Sequence, residues 1–296
     1  MKLKIILCML MLAALAMLAC GQETAEEWFY RGNDLAEQGK YEEASQAYDE
    51  VIKLYPNSVA AWGNKGNALT LQGKYDEAIQ AYDEAIRIDP KYALSWNQKG
   101  NALTEQGKYD ESIQAYDEAI SLDPKFAFPW NNKGEVLRLQ KNYNEAITCF
   151  EEAIRLDPDY AIAWNNKGLT LGLQGKYNES IQAFNEAIRL DPDYAKAWNS
   201  KGVALALLGN LTEAITYFDE AIKLDPNFAI AWANKGEALV ELGSYSEAIQ
   251  ACDEAIRLDP KYPDAWYQKG CALEALGRTS EANDAYAKAQ ELGWTG

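Results

Sequence analysis

The sequence predicts an all-α solenoid built from eight copies of a 34-residue helix-turn-helix unit. Three observations carry this. Trp stands at positions 28, 62, 96, 130, 164, 198, 232 and 266, always 34 residues apart. Between successive Trp residues the apolar positions recur at helical period in two stretches, separated by a turn and closed in most units by Asp-Pro. With 48% of its 296 residues hydrophobic and 25% charged, the chain is too apolar for disorder and can fill a core.

The first element is a leader, residues 1–19. Lys2 and Lys4 give a basic start, and residues 5–19 are apolar apart from Cys8. That run falls short of the roughly 20 residues a spanning helix needs. A basic start, an apolar centre and small residues before the cut form the pattern of a secretory signal. The end, Met17-Leu18-Ala19-Cys20-Gly21, resembles a prokaryotic lipobox. Ala19 and Cys20 match it, while Met17 and Leu18 depart from its usual Leu followed by a small residue. The resemblance implies cleavage before Cys20, lipidation of Cys20 and membrane attachment through two acyl chains, where one would be marginal. The protein would then be exported, as a cell-envelope lipoprotein outside the cytoplasmic membrane. Cleavage after Ala16 or Ala19 without lipid would give a secreted protein, and an uncleaved anchor is the third alternative. Residues 20–24 form a short linker.

The repeats follow, each starting three residues before its Trp: 25–58, 59–92, 93–126, 127–160, 161–194, 195–228, 229–262 and 263–296. In the second, the first helix should span about residues 60–72, stopped by Gly73. Lys74-Tyr75 turns the chain, and Asp76 is expected as N-cap, with Glu77 in the first turn. The second helix should reach about Ile88, where Asp89-Pro90 ends it. Trp62, Leu69, Ala78, Ile79, Tyr82, Ala85 and Ile86 form the apolar stripes, and Gly66 and Ala85 are small where helix axes approach. One such pair cannot bury its own faces, whereas stacked copies share a continuous core.

The period and the residues Trp62, Gly66, Tyr75, Ala78, Tyr82, Ala85 and Pro90 resemble the tetratricopeptide repeat, over residues 25–296. The resemblance implies a right-handed superhelical solenoid whose first helices line a concave groove. Two rows depart from it. Where the family often has Leu before its Gly, this chain has Arg31, Lys65, Lys99, Lys133, Lys167, Lys201, Lys235 and Lys269. Glu43, Glu77, Glu111, Glu145, Glu179, Glu213, Glu247 and Glu281 form the second row. Both are expected to be structural ladders. Ser45, Asn283, Gln290 and Asp34 put polar residues on otherwise apolar faces of the end repeats, and Trp294 is placed to fold back as a lid. They suit the solvated ends of a complete array of eight.

Catalytic chemistry has little to work with. There is no His, and after the leader only Cys149, Cys252 and Cys271 remain, too few for a zinc site. Cys252 stands where other repeats have Tyr or Phe, so it reads as a buried small hydrophobe, and a Cys252–Cys271 disulfide stays open. The stretch from Gly66 to Lys74 has the wrong spacing for a phosphate loop. Acidic pairs such as Asp83-Glu84 are solvated faces. Asn178 and Asn210 open glycosylation sequons in the turns between helices. With a formal net charge of −17, nucleic-acid binding is not expected. Nor is a cofactor or a small-molecule substrate.

The groove implied by the resemblance should be lined in repeats two and three by Asn64, Asn67, Asn97 and Asn101, beside Thr70, Gln98 and Thr104. Amide side chains both donate and accept, which suits a peptide backbone. In repeats four to six it should turn apolar, with Phe128, Ile162, Leu169, Leu173, Val203 and Leu207 beside Asn131, Asn132, Asn165 and Asn166. An exposed apolar patch marks an interaction site. The cations that a carboxylate clamp needs are missing. The sequence therefore predicts a non-enzymatic scaffold or adaptor at the cell surface, holding an extended peptide or a partner helix. A self-associating component of a membrane-linked assembly is the alternative.

Overall fold

A computed structural model of the chain describes residues 23–295. The leader and Cys20 lie outside the described residues, as does Gly296. Among the described residues there are sixteen helices and no strand. By chain order they are α1 (Ala25–Glu37), α2 (Tyr41–Leu54), α3 (Val59–Leu71), α4 (Tyr75–Ile88), α5 (Ala93–Glu105), α6 (Tyr109–Leu122), α7 (Ala127–Leu139) and α8 (Tyr143–Leu156). Then follow α9 (Ala161–Leu173), α10 (Tyr177–Leu190), α11 (Ala195–Leu207), α12 (Leu211–Leu224), α13 (Ala229–Leu242), α14 (Tyr245–Leu258), α15 (Pro263–Ala275) and α16 (Thr279–Glu291). The expected all-α helix-turn-helix repeats are all present. The chain divides into two units, residues 1–129 and 130–296. Each stacks its helix pairs in sequence order, the first helix packing against the second helix of its own pair in repeats one to three and five to eight.

Local chemistry sets the helix ends. After the first helix of the second repeat, Gly73 takes φ 74° and Lys74 N–H returns to Leu69 O at 2.9 Å, a left-handed C-terminal stop. The fourth repeat makes this turn without glycine, at Lys141, φ 65°. Tyr75 begins α4 with Lys74 as the flanking residue and no side-chain cap. Asp76 is therefore not the N-cap expected from sequence. It lies in the first turn, and its Oδ1 accepts from Gln106 Nε2 of the next repeat at 2.8 Å. Where the second helix ends, Asp89 Oδ1 accepts from Lys91 N–H at 3.0 Å, and five later Asp residues repeat this turn. The 34-residue Trp has a role beyond packing. Trp62 Nε1 donates to Pro56 O at 2.9 Å, and Trp96, Trp164, Trp198, Trp232 and Trp266 clamp their own Pro carbonyls in the same way. Trp130, directly after Pro129, keeps its Nε1 buried without a partner.

The core of each unit is a column of rings laid on glycines. Tyr48, Tyr82 and Tyr116 are fully buried in the first unit, Phe150, Phe184 and Phe218 in the second. A Cβ on Gly66 would stand 2.5 Å from the Tyr82 ring, so the ring lies directly on the helix backbone. Cys252 takes the ring position of the seventh repeat and is buried, as expected, with its thiol pushed up to about 12 by desolvation. Cys252 and Cys271, whose pairing the sequence leaves open, are not joined by a disulfide.

The Lys row is the structural ladder expected. Lys65 reaches Asp49 at 2.7 Å in the preceding helix, Lys99 reaches Asp83, Lys167 Glu151, Lys235 Asp219 and Lys269 Asp253. Each ammonium also lies over its own Trp ring, 5.4 Å from the centroid for Lys65. Lys201 departs because the matching position is Asn185, and it turns to Tyr217 Oη instead. The Glu row behaves differently: its members are exposed in the first turn of the second helices, where they complement the helix dipole, and Glu281 pairs with Arg278 in its own turn. At the array's ends Asp34, Asn283 and Gln290 are exposed, as solvated faces require. Ser45 is not: it is buried inside the first pair. Trp294 does fold back, stacking on Tyr267 with centroids 3.6 Å apart.

Candidate ligand groove

In the second unit, α9, α11 and α13 border a cleft of about 380 Å³. Leu169 and Leu173 come from α9, Val203 and Leu207 from α11, and Ile230 from α13. Phe184 forms part of its wall, and Arg138, Ser200, Asn199 and Asn234 supply polar edges. Leu173 and Leu207 are 54% and 59% exposed, so they are surface residues rather than packing between helices. The structure thus gathers Leu169, Leu173, Val203 and Leu207, four residues expected together from sequence.

Why this face is apolar follows from the ring column behind it. In the first unit Tyr48 Oη donates to Asn33 Oδ1 at 2.8 Å, Tyr82 to Asn67 at 2.8 Å and Tyr116 to Asn101 at 2.9 Å. Thr70 and Thr104 complete the two later networks at 3.2 and 3.1 Å. Burial pushes the Tyr82 phenol up to about 12 and that of Tyr116 higher still. In the fifth and sixth repeats the rings at this position are Phe184 and Phe218, and the residues fifteen before them are Leu169 and Val203. In these five repeats a hydroxyl in the ring goes with an amide on the groove face and its loss with an aliphatic side chain, whereas Phe150 stands fifteen after Glu135 and Tyr286 fifteen after Cys271. This pairing was present in the sequence as a fifteen-residue spacing that single-face periodicity does not reveal. Tyr82→Phe and Asn67→Leu should each destabilise by about 1 kcal/mol. The double variant should recover about 1 kcal/mol of the sum in a urea-unfolding cycle. Strict additivity would break the pairing.

The amide residues need correction. Asn97, Asn131 and Asn165, expected to face a ligand, are only 5%, 5% and 3% exposed. Asn131 and Asn165 stand where the next first helix packs. Asn131 Oδ1 accepts from Asn166 Nδ2 at 3.1 Å, and Asn199 Oδ1 from Asn234 Nδ2 at 2.9 Å, so the row is an inter-repeat ladder. Asn64 belongs to the same kind of contact, donating to Asn33 at 3.1 Å. Asn132 accepts from Asn131 at 3.2 Å. Asn67 and Asn101 are half-buried and engaged by the tyrosines. In the fifth repeat the ladder is broken: Asn165 Oδ1 is buried without a partner. The next repeat offers Ser200, whose hydroxyl donates to Lys196 O at 2.8 Å.

Two apolar residues fall outside the cleft. Ile162 is exposed on α9 but does not line it, and Phe128 belongs to the first unit, its ring 5.7 Å from that of Phe126. Nor is the first unit purely polar on this face, since Leu71 and Leu94 are exposed. Sequence reasoning also missed Ile230, although it occupies the same place before its Trp as Ile162. It missed a cleft of about 600 Å³ in the first unit, lined by Phe29, Tyr30, Val51, Leu54, Tyr55 and Ala60. The signal there was Phe29-Tyr30 in place of Gly63-Asn64, and Tyr55 in place of Asp89.

Among the described residues no group of His, Cys, Asp and Glu is placed to hold a metal ion, and no helix is long and apolar enough to cross a membrane. Family models described as tetratricopeptide repeat match residues 30–93, 168–228, 214–263 and 234–296, with related models on 126–193, 100–140 and 81–114. No curated protein matches the chain. Among solved structures, it is similar to a chain of the APC/C hetero-tetramer Cut9-Hcn1, with 16% identity over 86% of this chain and a TM-score of 0.68. The match spans half the length of that chain. A tetratricopeptide repeat protein from Parabacteroides merdae matches 84% of this chain and 98% of its own at 17% identity, TM-score 0.65. YrrB, described as a TPR protein with an unusual peptide-binding site, is 25% identical over 64% of this chain and 98% of its own, TM-score 0.50.

Proposed function

The chain belongs to the tetratricopeptide repeat family, and from that premise we propose that it is a non-catalytic interaction scaffold that holds a segment of a partner protein against the Leu169–Leu207 cleft. One observation carries the reading: exposed Leu173 and Leu207 flank a cleft whose apolar floor is made by Leu169, Val203 and the Phe184 ring. Solvent-facing leucines grouped around a concavity lose water on binding, which supplies the driving force for a partner's apolar side chains. The peptide-binding site ascribed to YrrB supports the same use of the fold. The scaffold works outside the cytoplasmic membrane, tethered by a lipid on Cys20. The leader's basic start, apolar centre and Ala19-Cys20 end support this.

Leu169→Asp tests the cleft. It places a carboxylate among Leu173, Val203 and Leu207, beside the Phe184 ring. Partner capture from membrane and secreted fractions should fall at least tenfold, with helicity by circular dichroism unchanged; a cost of about 1.4 kcal/mol is enough for that. Unchanged capture by a folded variant would remove the cleft from the mechanism. Self-capture alone, indifferent to the substitution, would favour self-association, for which the apolar first-unit cleft is the obvious surface.

A further inference from the structure

Beyond Val203 and Leu207 the cleft runs into a smaller concavity lined by Asn234, Glu237 and Glu241. The two concavities share Val203, Leu207 and Asn234, so the aliphatic floor and the carboxylates form one continuous surface. The groove positions of repeats seven and eight carry Glu237, Glu241, Asp264 and Glu274, and neither Lys nor Arg. Five basic side chains of these repeats are committed elsewhere, Lys235 to Asp219, Lys269 to Asp253, Arg257 to Glu254, Arg278 to Glu281 and Lys288 to Glu291, and Lys261 lies in the turn before α15. Glu274 accepts from Tyr286 Oη at 2.8 Å, which fixes its carboxylate in place. On the fourth repeat, beyond Leu169, Arg138 is tied to Glu135, while Lys196 is exposed on the same helix as Val203 and Leu207. The surface is thus polarised along its length, from a mixed end through an aliphatic floor to an acidic end. Partial burial, together with Glu241 and Asp264, holds the Glu237 carboxyl above its usual range, as expected for like charges gathered without a counter-ion.

We propose that the partner segment is a cationic amphipathic peptide, its aliphatic side chains on Leu169, Leu173, Val203 and Leu207 and its Lys or Arg side chains over Glu237 and Glu241. This rests on the cleft being the binding surface and adds the chemistry of what fills it. Charge complementarity selects the occupant. A neutral segment would leave the crowded carboxylates uncompensated, and an acidic one would add repulsion. The acidic end also gives the segment a direction, because the carboxylate at the opposite end, Glu135, is already paired with Arg138.

The test uses the full chain in mild detergent and three fluorescent synthetic peptides that share one leucine pattern and differ only in flanking Lys, Gln or Glu. Fluorescence anisotropy should show the Lys peptide binding about tenfold tighter than the Gln peptide at low salt, with the advantage fading at high salt. Glu237→Gln with Glu241→Gln should weaken the Lys peptide by roughly three- to tenfold and leave the Gln peptide unchanged. Glu42→Gln with Glu43→Gln, exposed on α2, makes the same charge change away from the cleft and should do neither. Leu173→Gln with Leu207→Gln should weaken both the Lys and the Gln peptides. Equal binding of the Lys and Gln peptides, or an equal effect of the α2 pair, would overturn the cationic partner. The cleft would still stand if the leucine variant weakened the Gln peptide. A leucine variant without effect on any peptide, or no binding of the Lys peptide at all, would overturn both.

Discussion

Phe184→Ala should cost about 3–5 kcal/mol, the usual range for emptying a buried aromatic site. Phe184 is 2% exposed, lies on the backbone of Gly168 and forms part of the cleft wall. The site cannot collapse easily, because the neighbouring helices are held by the Lys167–Glu151 pair and the Trp198–Pro192 clamp. In a repeat stack each pair leans on its neighbours, so the loss should appear as an early phase in urea unfolding followed by far-ultraviolet circular dichroism. Partner binding should be lost with it. A cost below about 1 kcal/mol would mean that the ring column is not what holds the second unit.

Alanine at two glycines of equivalent helices should act in opposite directions. At Gly168 a Cβ would stand 2.6 Å from Phe184 Cε1, and the ring, 2% exposed, has little room to give way. Overpacking of this kind costs about 1–3 kcal/mol, more than the roughly 1 kcal/mol that Ala gains over Gly in a helix. At Gly63 the nearest atom is Gln98 Oε1 at 3.6 Å, an ordinary contact. Gly63→Ala should therefore stabilise by about 0.5–1 kcal/mol. Thermal melts of the two variants beside the parent decide the matter; shifts of the same sign would refute the contrast.

The helices and their ends were readable in advance because their causes are local. Gly73 stops a helix by its own φ, Asp89-Pro90 by its own sterics, and the 34-residue Trp marks where each pair begins. At Asp76 the helix start was misread: every second helix begins one residue earlier in its repeat, whether the next position holds Asp76, Thr212 or Ser246. The site was half legible. Leu169, Leu173, Val203 and Leu207 were found because aliphatic residues on an otherwise polar helical face stand out. Asn97, Asn131 and Asn165 were misread because they sit one helical step from residues that do face the cleft.

By itself the sequence determined the helical class, most of the helix ends and the Lys ladder, since each depends on residues close in the chain or on a fixed period. Tertiary structure alone decided which polar residues face solvent and which are spent between repeats. A helical period sets the angle of a side chain about its own axis, but exposure depends on where the neighbouring helix lands. That landing is set by the rings on glycine: Tyr82 on Gly66 carries its hydroxyl to Asn67, whereas Phe184 on Gly168 leaves Leu169 free to line a cleft.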